Sequence, residues 1–177
     1  PHAGERFKLI TKSIIRVNAR LSTLVPARII CCAHAAKDAH AALGFAPDRL
    51  VVIPNGFDTD MYHPDPAARL SVREELGLAP DTPLVGLMAR FHPQKDHATF
   101  VRSAAHLVRQ SSAAHFVLAG RDVNGSNPDL QAWIAASGSP DRFHALGVRA
   151  DMLRLMAACD VVCTSSAFGE GLPLVLG

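Results

Sequence analysis

The residues from Ser165 to Gly177 hold the arrangement in this sequence most suited to chemistry. An apolar run, Val161-Val162-Cys163, leads into Ser165-Ser166-Ala167-Phe168-Gly169-Glu170-Gly171-Leu172-Pro173. That order reads as a strand, a tight loop and the first turn of a helix. Free backbone N–H groups at such a start attract phosphate oxygens, and a carboxylate beside them can accept hydrogen bonds from hydroxyls on the same ligand. Glu170 is that carboxylate, and Gly171, Leu172 and Pro173 form the turn expected to face the ligand. A second segment, Arg90-Phe91-His92-Pro93-Gln94-Lys95-Asp96-His97, places Arg directly after a strand, Lys five residues later, and Asp96 where it can cap the next helix. Gly120-Arg121 and Gly147-Val148-Arg149 follow two further strand-like runs. Cations recurring at such places suit a diphosphate, whose charge must be met by fixed donors before it leaves bulk water.

These residues come together only if the elements before them share one edge. Periodicity predicts helix over residues 5–24, a strand from Arg28 to Cys32, a helix from Ala35 to Leu43 stopped by Gly44, and a strand from Leu50 to Ile53 halted by Pro54. The turn Pro54-Asn55-Gly56-Phe57-Asp58 and the extended connector His63-Pro64-Asp65-Pro66 follow. Then come helix Ala67–Leu76, strand Leu84–Ala89, helix Asp96–Gln110, strand His115–Ala119, helix Pro128–Ala136, strand Phe143–Leu146, helix Asp151–Ala158 and strand Val161–Thr164. Repeated β-α-β units predict a doubly wound parallel sheet with ligands at the carboxyl ends of its strands. No internal repeat or low-complexity tract is visible.

Composition narrows the class. Across 177 residues, 49% are hydrophobic and 19% charged, which suits a globular chain and excludes a disordered one. One Trp, one Tyr and eight Phe are too few for a stacking platform, so nucleic acid is not an expected partner. Residues 1–40 carry a charge balance of +5 and residues 41–177 a balance of −3, so the basic charge is local. Arg6, Lys8, Lys12, Arg16 and Arg20 interleave with Phe7, Leu9, Ile10, Ile14, Ile15, Val17 and Leu21 as a basic amphipathic helix. It reads as a solvated helix face or as a contact with an anionic membrane surface. The four cysteines make no Cys-x-x-Cys pair and sit in apolar stretches, as buried thiols do in a reducing compartment. His92 and His97 lack the spacing of a helical zinc site, no metal is expected, and Gly120-Arg121 does not extend to Gly-x-Gly-x-x-Gly. No run of 18 apolar residues is present.

The segment from Ser166 to Pro173 resembles the Ser-x-x-x-Glu-Gly-x-Pro part of the Glu-x7-Glu signature of retaining glycosyltransferases of the family 4 type. Seven residues after Glu170 run from Gly171 to Gly177, so a second Glu would be the next residue and an internal stretch of a longer enzyme is expected. Arg90 and Lys95 are similar to the Gly-Arg-x-x-x-x-Lys region that holds the donor diphosphate in that family, with Ala89 in place of the usual Gly. Val52 to Asp58 resembles its Ile-Pro-Asn-Gly-Val-Asp turn, and Gly147 to Asp151 its Gly-x-x-x-Asp loop near the nucleotide.

The resemblance implies an α/β chain of GT-B type. Residues 1–62 would be the C-terminal part of an acceptor-side Rossmann-like domain, and residues 63–177 a nucleotide-sugar-binding Rossmann-like domain. It implies transfer of a sugar from a nucleotide-diphosphate sugar to a glycan or lipid-linked acceptor hydroxyl, with retention of configuration. Arg90, Lys95 and Glu170 would be catalytic, and Gly120, Arg149, Gly171, Leu172 and Pro173 donor-binding. No cofactor or metal beyond the donor is implied, and the setting is cytoplasmic with peripheral contact at the inner membrane face. This stretch alone is expected to be inactive. The alternatives are a sugar-nucleotide epimerase of similar fold, marked by donor conversion without acceptor, and a non-catalytic nucleotide-binding fragment.

Overall fold

A computed structural model describes residues 3–110 and 113–176, with side chains given for 10–110 and 113–175. The chain divides into two compact units, Pro1–Gly56 with Gly171–Leu174 and Phe57–Glu170 with Val175–Gly177.

In the first unit α1 (Ala3–Leu21) precedes two parallel strands, β1 (Ile29–Cys31) and β2 (Leu50–Val52), joined through α2 (His34–Ala42). Parallel neighbours need such a crossover, and the helix supplies it. Buried Ser22 joins the end of α1 to the approach to β2, donating to the Ala19 carbonyl and accepting from the Ala46 N–H at 2.8 Å. On α1 the cations Lys12, Arg16 and Arg20 are exposed, as are Ile10, Ile14, Val17 and Leu21, which share one helix stripe, while Ala19 is buried. The side chains of Arg6, Phe7, Lys8 and Leu9, part of the expected amphipathic pattern, lie outside the described residues.

The second unit runs α3 (Pro66–Glu75), β3 (Leu84–Met88), α4 (His97–Arg109), β4 (His115–Ala119), α5 (Pro128–Ala136), β5 (Phe143–Ala145), α6 (Met152–Ala158) and β6 (Val161–Val162). The sheet order is β5-β4-β3-β6 and every pairing is parallel. The chain steps outward from β3 to β5 and then returns to the far side of β3. Loops leaving β3 and β6 therefore diverge, which is the switch point where open α/β sheets bind ligands. Asp65 and Asn127 cap α3 and α5 by accepting from Ala68 N at 2.9 Å and Leu130 N at 3.1 Å, each with Pro in the first turn.

Both faces of the sheet are covered. Phe116 and Leu118 of β4 join Leu87, Phe100, Val101, Leu130 and Ile134 on one side, while Val117 and Ala119 join Val72, Leu84, Leu155 and Ala158 on the other. A continuous apolar strand is what burial on both faces requires. Phe116 stacks on Phe143 with centroids 5.1 Å apart and meets Phe100 edge-on at 6.2 Å.

The strands are shorter than periodicity predicts. β5 stops at Ala145 and β6 at Val162, where runs to Leu146 and Thr164 were expected. One ladder bond continues beyond each end, Leu146 N to Leu118 O at 2.9 Å and Cys163 N to Gly86 O at 2.8 Å, before the chain turns away. Short 3-10 turns at Pro47–Arg49, Pro93–Lys95 and Pro140–Arg142 escape a reading based on the period of longer helices. Two of them are the same tripeptide, Pro-Asp-Arg, each placed after a helix and a glycine at positive φ and directly before a strand. The arginines donate to carbonyls near the start of the neighbouring strand, Arg49 to Pro26 at 2.6 Å and Arg142 to Ala113 at 2.9 Å. This local echo is a repeat that inspection of the sequence passes over.

Arg73 is a structural hub that amphipathic patterning does not reveal. Only 1% exposed on α3, it donates to the Ala158 carbonyl at 3.2 Å, to Asp160 Oδ2 at 2.8 Å and to the Thr82 carbonyl. The same Asp160 oxygen accepts from Leu84 N at 2.7 Å, and Oδ1 accepts from Arg69 at 2.6 Å. Arg73→Met keeps the length but removes the buried guanidinium, while Arg69 still reaches the Ala158 carbonyl and Asp160, so urea denaturation is expected to show a loss of about 1–3 kcal/mol, the scale of leaving a buried acceptor such as the Thr82 carbonyl unpaired.

Three histidines favour the neutral form. His115 Nδ1 and His144 Nε2 lie 3.0 Å apart with their rings stacked at 5.3 Å, so the contact accommodates only one proton between the facing nitrogens. Burial lowers the pKa of both, with repulsion from Arg142 acting on His115 and from His115 acting on His144; Asp141 opposes weakly. Burial also lowers His97. A folded-state pKa below the ordinary 6.5 means stability that is full above that value and is lost as pH falls through the depressed one. The melting temperature is therefore expected to fall between pH 7.5 and 5, and His144→Thr to flatten that slope.

Candidate active site

Because all four strands of the second unit run parallel, the loops after β3, β4, β5 and β6 leave the same edge. At the switch point Lys95, in the 3-10 turn after β3, pairs through Nζ with Glu170 Oε1 in the loop after β6. Ser166 Oγ donates to the same oxygen at 2.8 Å. Both members of the pair are roughly a fifth exposed, so a ligand can reach them while water only partly screens them. Hydrogen bonding from Lys95, then from Ser166, with added attraction from Arg90, holds the Glu170 carboxyl below the usual carboxylate range. The group is ionised at neutral pH and acts as an acceptor. Arg90 is exposed and makes no hydrogen bond or ion pair with the described residues.

The two loops are fastened by groups that carry no charge. Gln94 donates from Nε2 to the Gly169 carbonyl at 3.0 Å and accepts at its own carbonyl from Ala167 N at 2.8 Å. Ser165 Oγ donates to the Lys95 carbonyl at 2.7 Å. The Lys95–Glu170 contact thus rests on three further bonds between the same two segments. Neither Gln94 nor Ser165 was a candidate, since their roles depend on which backbone carbonyls face them. Ser166 stands four residues before Glu170, the Ser-x-x-x-Glu spacing of the signature, and the geometry shows that this spacing brings the two side chains together in the loop.

The expected helix from Asp96 begins one residue later. Asp96 takes a left-handed conformation at φ 45°, and its Oδ1 accepts from Thr99 N at 3.1 Å, so it caps α4 from outside. His97, 2% exposed, points Nε2 at the Ala89 carbonyl at 3.3 Å and holds the end of β3. Phe91 N donates to Arg121 O at 2.8 Å and Gly120 N to Gly147 O at 2.8 Å, which ties the neighbouring loops together.

Gly120 and Arg149 have structural duties of their own. Gly120 lies at φ 151°, and a Cβ there would stand 2.2 Å from the Ala89 carbonyl oxygen. Arg149 pairs with Asp151 through Nε and Nη2 at 2.7 Å each and with Glu75 at 2.6 Å, while Arg154 meets the same two carboxylates at 2.8 and 2.9 Å. The guanidinium is committed to α3 and to the start of α6, whereas Arg90 is uncommitted. Gly171, Leu172 and Pro173 fall in the first compact unit. The first helical turn expected there is a 3-10 turn, Leu174–Leu176, and Gly177 lies outside the described residues. Among the described residues no three His, Cys, Asp or Glu side chains gather as a metal site, and no helix is long and apolar enough to cross a membrane.

A parallel α/β unit with a charged pair at its switch point defines a Rossmann-like ligand-binding domain. Residues 82–177 match the family described as Glycosyl transferases group 1, and the chain belongs to that family. Its fold is the GT-B type. EpsF of Bacillus subtilis, which carries the name of a glycosyltransferase, is 30% identical over 136 residues, covering 73% of this chain and 33% of that protein. The D-inositol 3-phosphate glycosyltransferase of Nocardia farcinica is 43% identical over 63 residues, covering 36% of this chain and 14% of its own length. The crystal structure of Anabaena HepE in complex with UDP-glucose matches at a TM-score of 0.80 and 28% identity, over 93% of this chain and 45% of HepE. The chain thus spans about a third of EpsF and less than half of HepE.

Gly120→Ala adds a Cβ that only backbone movement can accommodate. A loss of more than about 2 kcal/mol is expected in thermal or urea unfolding, from the collision and the unfavourable φ together.

Proposed function

We propose that the protein moves a sugar from a nucleotide-diphosphate sugar to an acceptor hydroxyl with retention of anomeric configuration. The observation that carries this reading is the Lys95–Glu170–Ser166 group at the switch point of the parallel sheet. Membership of a glycosyltransferase family supports it, as does the likeness to HepE, which was crystallised with UDP-glucose. Retention is supported by the resemblance of the Ser166–Pro173 segment to the retaining signature.

As the glycosidic bond to the donor breaks, negative charge develops on the departing nucleotide diphosphate. Arg90 and Lys95 supply fixed positive charge toward it, and fixed charge costs no reorganisation at the moment of reaction. Glu170, kept ionised by Lys95 and Ser166, accepts hydrogen bonds from the donor sugar's hydroxyls and orients them. Gly120 lets the loops after β3 and β4 close on each other, Arg149 braces the loop after β5, and Gly171, Leu172 and Pro173 contribute backbone to the donor site. The acceptor is a glycan or a lipid-linked glycan, and the exposed apolar stripe of α1 beside Lys12, Arg16 and Arg20 suits peripheral contact with an anionic membrane.

Transfer from a panel of UDP- and GDP-sugars, with the anomer of the product read by NMR, tests the reading. In the full-length enzyme Lys95→Ala and Arg90→Ala are each expected to lower kcat/KM by about 10²–10³, the scale of losing one preorganised donor. Near-normal turnover in either variant would remove that residue from the mechanism. Conversion of the donor to its epimer without any acceptor would support an epimerase.

A further inference from the structure

A groove of about 350 Å³ runs between α4 and α5, within the size range of small-molecule sites. It exists because the facing residues are small: Ala105 and Val101 on α4 and Ala136 on α5 leave space that longer side chains would fill. Trp133 forms one wall and is held flat by stacking on Phe91, with centroids 5.5 Å apart and planes at 28°. Arg102 and Arg109, seven residues apart on one face of α4, also line the groove; both are exposed. Arg102 spends one nitrogen on Thr99 Oγ1 at 2.8 Å, and Arg109 has no hydrogen bond or ion pair with the described residues. Among the described residues no carboxylate lines the groove, and the hydroxyl that does, on Ser137, is occupied, donating to the Ile134 carbonyl and accepting from Ser139 N at 3.2 Å.

The lining therefore offers an apolar slot, an aromatic wall and two cations, with no free group to read a sugar or a base. A nucleotide would leave its polar edges unpaired there, at a cost that burial of a base would not offset. A ligand whose apolar chain lies along Trp133 and the alanines while an anionic head meets Arg102 and Arg109 satisfies every surface at once. We propose that the α4–α5 groove binds a single-chain anionic amphiphile, of the class of alkyl phosphates and fatty acid carboxylates.

Trp133 is the only tryptophan in the sequence, so its emission reports the site directly. Decyl phosphate, kept below its micelle concentration, is expected to change that emission saturably and to raise the melting temperature. Inorganic phosphate and the neutral amphiphile decyl maltoside are expected to leave both unchanged. In the double variant Arg102→Glu/Arg109→Glu, whose exposed positions tolerate substitution, affinity is expected to fall roughly tenfold or more, as reversal of ligand-facing charge predicts. UDP titration of that variant is expected to match the parent, which separates this site from the one at the sheet edge. An equal response to decyl maltoside, an unchanged affinity in the variant, a response to inorganic phosphate alone, or a lowered melting temperature would each overturn the proposal.

Discussion

Everything at the ligand edge depends on β3 being hydrogen-bonded on both sides by parallel neighbours. A central parallel strand has no face left for water, so apolar residues must cover it from two layers of helix. Parallel order also forces every connection to cross over, which sends all the following loops out at one edge. The reversal from β5 back to β6 then opens a gap at the end of β3, and Lys95 and Glu170 stand on its two sides. The charged pair is in this sense a product of strand order. Arg73 serves the same arrangement from the opposite end of the strands, through Asp160 and the first N–H of β3.

The cations at this edge fall into two kinds. Arg149 and Arg154 are shared between Glu75 and Asp151, so their charge is spent on joining α3 to the start of α6. Arg90 and Arg121 are exposed, and Lys95 is paired with a carboxylate that is itself tied to Ser166. A pair of opposite charges already in contact presents a smaller field to an approaching anion than a bare lysine, yet it keeps the ammonium in place. Preorganisation and attraction are balanced at one residue.

Much of the fold is legible in the sequence because its signals are local. The Pro128 start, the glycines that end helices and the apolar runs of β3 and β4 each act within a few residues, whereas Asp65-Pro66, expected as part of an extended connector, caps and opens α3. Arg90, Lys95 and Glu170 stand out for the same reason, as charged residues in the loops that follow apolar strands. What escapes is set by contacts across the chain. Nothing near Arg73 says that it is buried, because its acceptors lie six, nine or more than eighty residues away. Gln94 is unremarked in sequence because its partners are the backbone of residues 167 and 169. Arg149 and Arg90 look alike until Glu75, contributed by a helix 74 residues earlier, is seen to claim one of them.

The two Pro-Asp-Arg turns bear on how short strands hold their place. A strand of three residues has little side-chain pattern with which to resist sliding by one position, and a slip would exchange its two faces. In each unit the arginine of the turn reaches a carbonyl beside the adjacent strand and fixes the starting point before the ladder begins. The same datum mark is cut twice, ahead of β2 and ahead of β5. Each of these strands is thus aligned from its first residue, by an anchor that lies outside the strand itself.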